Sequence, residues 1–365
     1  MTKFFTKSLI FGLAVLLVGN AYAQLTLPEG SQRAQVTQRV GTTNITIDYG
    51  RPKVNGREIW GKLVPYGFNN LGFGTSTAAP WRSGANANTT IEFTDEVMIE
   101  GKPIAAGKYG FHTAIEENGD ATIIFSKDNN AWGSYFYEES KDALRVKVKS
   151  REVTHTELLT FSFPEVEANS TVASLRWDKK EIPFKIEVNV PEIVMAQIKS
   201  DLTNSPGFTQ SNWDQAAGFA MQNGKLEQAL EWVNGSIEGS FFSKPTFNNL
   251  SMKALILNRM GKTEEANKLA DQIISLGNAS ELFQYGSQLM AGGNNELALK
   301  VHEANVKKSD GAWPSNYGLA RAHSANGKYK NAIKALKASQ ANAPERFKQR
   351  LEGDMAKLKK GEDIN

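Results

Sequence analysis

From about Gln35 to Val190 apolar positions recur at every second residue. Ile45, Ile47 and Tyr49 alternate with Thr46 and Asp48, and Ile182, Phe184, Ile186 and Val188 repeat the theme. Tyr109, Phe111, Thr113 and Ile115 alternate with Gly110, His112 and Ala114. A period of two puts one side of each run on a sheet face turned to a core. Turn signals such as Val54-Asn55-Gly56, Glu100-Gly101-Lys102-Pro103 and Glu117-Asn118-Gly119-Asp120 separate the runs. Short alternating runs broken this way predict an antiparallel β-sandwich or jelly-roll-like domain over residues 24–190.

After Pro191 the period changes. Val194, Ile198 and Leu202 fall four apart, which predicts a linker helix within 191–207 that stops before Ser205-Pro206-Gly207. From 208 to 345 the chain repeats itself. Gly224, Gly261, Gly293 and Gly327 are spaced 37, 32 and 34 residues apart, each followed five residues later by Ala229, Ala266, Ala298 or Ala332. A small residue (Ala217, Ala254, Gly286, Ala320) stands seven positions before each glycine. Small residues let paired helices approach, and the glycine turns the chain between them. No pair can bury its apolar face alone, so the repeats must stack. The pattern resembles tetratricopeptide repeats (TPR), although Ala220, Leu257, Leu289 and His323 stand where that family usually has an aromatic residue. Residues 346–365 read as a charged, partly helical tail.

Export changes the picture of the N-terminus. Lys3 and Lys7, an apolar run over 8–19 and Ala21-Tyr22-Ala23 together read as a signal peptide over residues 1–23. The expected location is the periplasm or the exterior, with no membrane span in the remaining chain. Loss of the two lysines leaves 40 basic against 39 acidic residues, which gives no reason to expect nucleic acid as a partner. With no cysteine, neither disulfides nor thiolate chemistry is available. The four histidines lack metal-ligand spacing, and neither a nucleophile elbow nor a phosphate loop occurs, so no cofactor or metal is expected.

The candidate chemistry lies between residues 49 and 132. Arg51, Arg57 and Arg82 fall at turns near Tyr49, Trp60, Tyr66 and Trp81. A guanidinium forks onto carboxylate or phosphate and stacks on aromatic faces. One reading is a groove for an anionic or sugar-like ligand, with Trp81 as stacking platform and Asn86 or Asn88 as hydrogen-bond partners. The other is a structural clasp in which these arginines pair with Asp48, Glu58 or Glu92. His112 is a candidate general base, on the face its strand turns away from the core, and Trp132 is a further candidate for ligand contact.

Tyr49-Gly50-Arg51-Pro52, Trp81-Arg82-Ser83-Gly84-Ala85-Asn86, Ala106-Gly107-Lys108-Tyr109 and Trp132-Gly133 resemble the bacterial domain-of-unknown-function family 2911 over about residues 30–190. That resemblance implies an exported protein with a β-rich domain, sometimes joined to helical repeats, and carries no catalytic residues. The expectation is a non-catalytic envelope protein whose repeats contact a protein or peptide. The alternatives are a hydrolase of envelope glycans or peptides with a site near Arg51, Trp81 and Arg82, and a purely structural envelope protein.

Overall fold

The computed structural model describes residues 28–239 and 241–365, so the expected signal peptide lies outside the described residues. The chain divides into two compact units, one ending at Val188 and the other beginning at Asn189.

The first unit contains β1 (Arg33–Val40), β2 (Thr43–Gly50), β3 (Thr90–Phe93), β4 (Val97–Ile99), β5 (Lys102–Ile104), β6 (Gly107–Ile115), β7 (Asp120–Ser126), β8 (Asp142–Lys149), β9 (Arg151–Val166) and β10 (Ser170–Glu187). They form two antiparallel sheets, β1-β2-β3-β6-β7-β8 and β5-β4-β10-β9. The turn glycines read from the sequence act as expected: Asn55-Gly56 and Glu100-Gly101 both take positive φ, the first in a local turn closed by Arg57 N–H on Val54 O and the second in the β4/β5 hairpin. Aromatic rings join the two sheets. Phe111 of β6 stacks on Phe184 of β10 with centroids 5.5 Å apart, and Tyr49 of β2 meets Phe161 of β9 edge-on at 4.8 Å. Each such pair contributes about 0.5–1.5 kcal/mol beyond burial.

One expectation needs correction. Strand β6 is covered on both faces, so His112 is 2% exposed rather than turned to solvent. Its outer face is roofed by the segment after residue 130, from which Ser134 Oγ lies 3.0 Å from His112 Nδ1 and the Tyr137 ring 5.6 Å from the imidazole. The Trp81 backbone instead extends the edge of β6 by two hydrogen bonds with Thr113 (2.9 and 2.8 Å).

The second unit is helical: α1 (Val190–Asp201), α2 (Gln210–Gln222), α3 (Leu226–Glu238), α4 (Phe247–Arg259), α5 (Thr263–Lys268), α6 (Ala270–Leu276), α7 (Ala279–Ala291), α8 (Asn295–Lys308), α9 (Trp313–Ala325), α10 (Tyr329–Asn342) and α11 (Glu345–Lys359). The pairs α2/α3, α7/α8 and α9/α10 are the first, third and fourth repeats. In the second, α4 pairs with α5 and α6, one helix interrupted at Leu269. Every repeat glycine has positive φ, and each turn makes the same hydrogen bonds. In the first, Lys225 N–H reaches Ala220 O (2.9 Å) and Gly224 N–H reaches Met221 O (3.3 Å). This closure satisfies the orphan carbonyls of the first helix. Ala217, Ala229, Ala254, Ala266, Ala298, Ala320 and Ala332 are fully buried where the helices touch.

Both ends of the array are covered. Met195, Ile198 and Leu202, at α1 and its end, pack on the core of the first repeats. At the other end Leu351, Met355 and Leu358 of α11 join the core of α9 and α10. The chain then folds back: Ile364 is 7% exposed, its N–H donates to Ser324 Oγ (3.1 Å), and that hydroxyl donates to Asp363 Oδ1 (2.5 Å).

Candidate functional site

The first helices of the repeats, α2, α4 and α7, line a groove of about 680 Å³, continued by a neighbouring one of about 480 Å³ that shares Met221, Leu255 and Gln288. Residues three and four apart on a helix share a face, which aligns Gln215, Phe219 and Gln222 along α2. The same rule aligns Met252 and Leu255 on α4 and Gln284 and Gln288 on α7. The apolar members are half-buried and form a floor, while the four glutamines are exposed. Their amides have no hydrogen-bond partner among the described residues. The groove carboxylates are engaged within the array, Asp214 of α2 by α3 and Glu281 by the start of its own helix. Asp214 Oδ1 accepts from Ser236 Oγ (2.5 Å), and Glu281 Oε2 accepts from the Asn278 N–H (2.7 Å). Burial pushes the Asp214 carboxyl up, against the Ser236 hydrogen bond. Helix α1 flanks this groove, because Gln215 and Phe219 also line a cleft with Ile198 and Leu202.

In the sandwich the residues singled out by sequence do not gather in one place. Tyr49 is in the core, its hydroxyl accepting from the Phe161 N–H (3.1 Å). Arg51 donates to Leu159 O (2.9 Å) and Thr160 Oγ1 (2.8 Å), tying the end of β2 to β9. Arg57 donates to Val54 O (3.0 Å) and Lys53 O (2.5 Å) in its own turn. The arginines thus hold backbone carbonyls and a hydroxyl rather than the expected carboxylates, since Asp48 pairs with Arg33 (2.5 Å). A polar loop without ladder partners needs such acceptor-matched anchors. The Trp81 ring is no open platform either. It stacks on the buried Trp177 (5.9 Å, 13°) and meets Trp60 edge-on (5.7 Å).

Arg82, Asn86, His112 and Trp132 do converge on one end of the sandwich. Arg82 Nη1 donates to Asn86 O (2.8 Å), and its guanidinium lies 5.5 Å from the Trp132 ring and 5.8 Å from that of Tyr135. Asn86 Nδ2 in turn donates to Glu29 Oε2 (2.7 Å). Beneath them His112 Nδ1 lies 3.0 Å from Ser134 Oγ. Burial pushes the His112 imidazole down to about 4, with Asp128 opposing and Arg82 reinforcing. Sequence reasoning missed Phe73, Tyr135 and Phe136. The Phe73 ring meets both of the others (5.5 and 5.8 Å), joining a loop after residue 67 to one after residue 130. Only the density of aromatics in Trp132–Tyr137 hinted at this surface. Among the described residues no group of three or more His, Asp or Glu side chains could hold a metal ion, and no helix is long and apolar enough to cross a membrane.

The fold therefore defines a two-unit protein, an antiparallel β-sandwich followed by TPR-like helical repeats. Residues 31–186 match the family model of a protein of unknown function (DUF2911). No curated protein matches the sequence. Solved structures similar to the helical half include the following three. MamA from residue 41 to its end, from Desulfovibrio magneticus RS-1, is 19% identical and covers 42% of this chain and 90% of its own, with a TM-score of 0.29. The C-terminal part of a TPR repeat-containing protein from Cytophaga hutchinsonii is 17% identical over 46% and 66% of the two chains, with a TM-score of 0.34. A tetratricopeptide repeat protein from Parabacteroides merdae ATCC 43184 is 16% identical over 47% and 65%, also at 0.34.

Proposed function

We propose that this is an exported, non-catalytic binding protein whose helical repeats hold an extended segment of a partner protein along α2, α4 and α7. The observation that carries this reading is the row of partnerless amides, Gln215, Gln222, Gln284 and Gln288, over a floor of Phe219, Met221, Met252 and Leu255. An extended backbone offers N–H and C=O groups in alternation, and a primary amide both donates and accepts, so such a row grips main chain whatever its sequence. Methionine adapts its shape to varied side chains. Panning the full-length protein against a random peptide library tests the reading. Enriched peptides are expected to lose at least tenfold in affinity on Met252→Glu and on the doubly exposed pair Gln284→Ala/Gln288→Ala. No enrichment, or peptides indifferent to both variants, would overturn it.

Export is supported by the Lys3/Lys7, apolar 8–19 and Ala21-Tyr22-Ala23 pattern. Expression in a Gram-negative host should deliver protein whose first residue is Gln24, read by N-terminal sequencing of the periplasmic fraction. An intact Met1 in the cytoplasm would refute it.

A further inference from the structure

A different surface, on the sandwich, is not absorbed by the reading of the repeats and stands independently of it. Phe73 is 66% exposed, Trp132 65% and Phe136 50%, and all three belong to one chain of ring contacts through Tyr135. Folded monomers rarely leave contiguous aromatic area of this kind in water without a use for it. We infer that this surface is a binding site for an acidic saccharide, with sugar faces stacked on Trp132 and Phe73 and a carboxylate forked by Arg82.

Three observations select that chemistry. First, Arg82 enters no ion pair among the described residues, and only its Nη1 has a protein acceptor. A half-buried guanidinium set against two aromatic rings and lacking a counter-ion is a receptor for a carboxylate. Second, the backbone around it is shaped to present it. Ser83 and Asn86 sit at φ 54° and 64°, in the left-handed region that non-glycine residues seldom occupy. Such residues cost about 1–3 kcal/mol each and persist where the surroundings hold them. Here Ser83 Oγ is fixed by Thr113 Oγ1 (2.8 Å) and Asn86 by Glu29 and Ser31. Gly133, at φ 81°, clears the space for the guanidinium, since a Cβ there would stand 2.7 Å from Nη1.

Third, the residues that follow Phe73 and Phe136 along the chain, Thr75, Ser76, Thr77 and Tyr137, line a cleft of about 410 Å³ together with Glu139 and Arg145, whose charges pair with each other at 3.0 Å. The loop that carries Phe73 is seated there by the Ser76 N–H on Tyr135 O (3.0 Å). The hydroxyls of Thr75, Ser76 and Thr77 have no hydrogen-bond partner among the described residues. Free hydroxyls beside open aromatic faces match a polyol ring, which has apolar faces and a hydroxylated rim. An apolar protein surface or a lipid would leave them unused.

The test uses the full-length protein, titrated with uronic-acid oligomers (oligogalacturonates and alginate fragments), neutral cello-oligomers of equal length, and polyglutamate. Tryptophan fluorescence and calorimetry give the affinities. Uronic-acid oligomers are expected to bind at least tenfold more tightly than neutral ones. Arg82→Gln and Trp132→Ala should each weaken that binding tenfold or more. Trp132 is exposed, so its truncation opens no core cavity and keeps the test valid if Arg82→Gln disturbs the loop. Neutral and acidic oligomers binding alike with no effect of either variant, binding of polyglutamate alone, or no binding across the uronic-acid panel would each overturn the inference.

Discussion

Gly50→Ala is expected to destabilise the sandwich by more than about 3 kcal/mol, the upper range for forcing an extra methyl into a closed space. A Cβ at this position would stand 2.2 Å from Ala85 O and 3.0 Å from Ala85 C. Those are backbone atoms, so no rotamer change relieves the clash. The loop cannot retreat, because Thr89 Oγ1 donates to Ser83 O (3.1 Å) and Ser83 is held by Thr113. Gly84 is equally confined, its own Cβ position lying 2.6 Å from Thr89 Oγ1. Urea unfolding followed by the near-ultraviolet signal of Trp60, Trp81 and Trp177 measures the loss. Adding Ala85→Gly should not rescue the variant, since the obstructing oxygen remains. A Gly50→Ala protein within about 0.5 kcal/mol of the parent would show that the loop yields, contrary to the anchoring described.

The second large effect concerns His302 in α8. Its ring is fully buried, and neither nitrogen has a hydrogen-bond partner among the described residues. It is wedged between Gly286 and Gly318, where a Cβ would come within 2.5 Å of Nε2 and Nδ1 respectively. Burial pushes the imidazole down to about 4, reinforced by Arg321. The folded value lies below the unfolded one of 6.5, so on acidification the unfolded chain takes up the proton first. Stability is full above pH 6.5 and is lost progressively as pH falls towards 4. The loss approaches about 3 kcal/mol when the whole shift is spent. His302→Leu, which resembles Val233 and Leu336 at the matching repeat positions, should remove that share of the acid sensitivity. His112 titrates in both proteins, so the difference between their denaturation midpoints from pH 7 to 4 isolates His302. Equal pH slopes would count against the account.

What could be read from the sequence followed from local periodicity. The runs around Ile47 and Phe184 announced strands because alternation is set by the pleat itself, and Gly224, Gly261, Gly293 and Gly327 announced helix turns because only glycine accepts that backbone cheaply. The sequence concealed whatever depends on distant partners. Arg51 finds Leu159 O and Thr160 on a strand more than a hundred residues away. The alternation placed His112 outward, and only the distant segment carrying Ser134 and Tyr137 roofs it. The aromatic shelf needs Phe73 and Trp132, from separate loops without any period, to meet. His302 occupies an aliphatic position, and two glycines from other helices make room for it. No pattern within α8 reveals that compensation.

The covering of the array by α1 on one side and by α11 with the docked Ile364 on the other bears on how such a chain can change over generations. A helix pair added outside α11 would meet Arg346, Lys348, Glu352 and Lys359, the charged side chains that helix exposes. Duplication of an inner pair, such as α7/α8, keeps both covers and only lengthens the stack, because each repeat contacts its neighbours alone. Length is therefore free to vary in the middle while the ends stay fixed, and longer relatives should differ by whole multiples of one repeat inserted between α3 and α9.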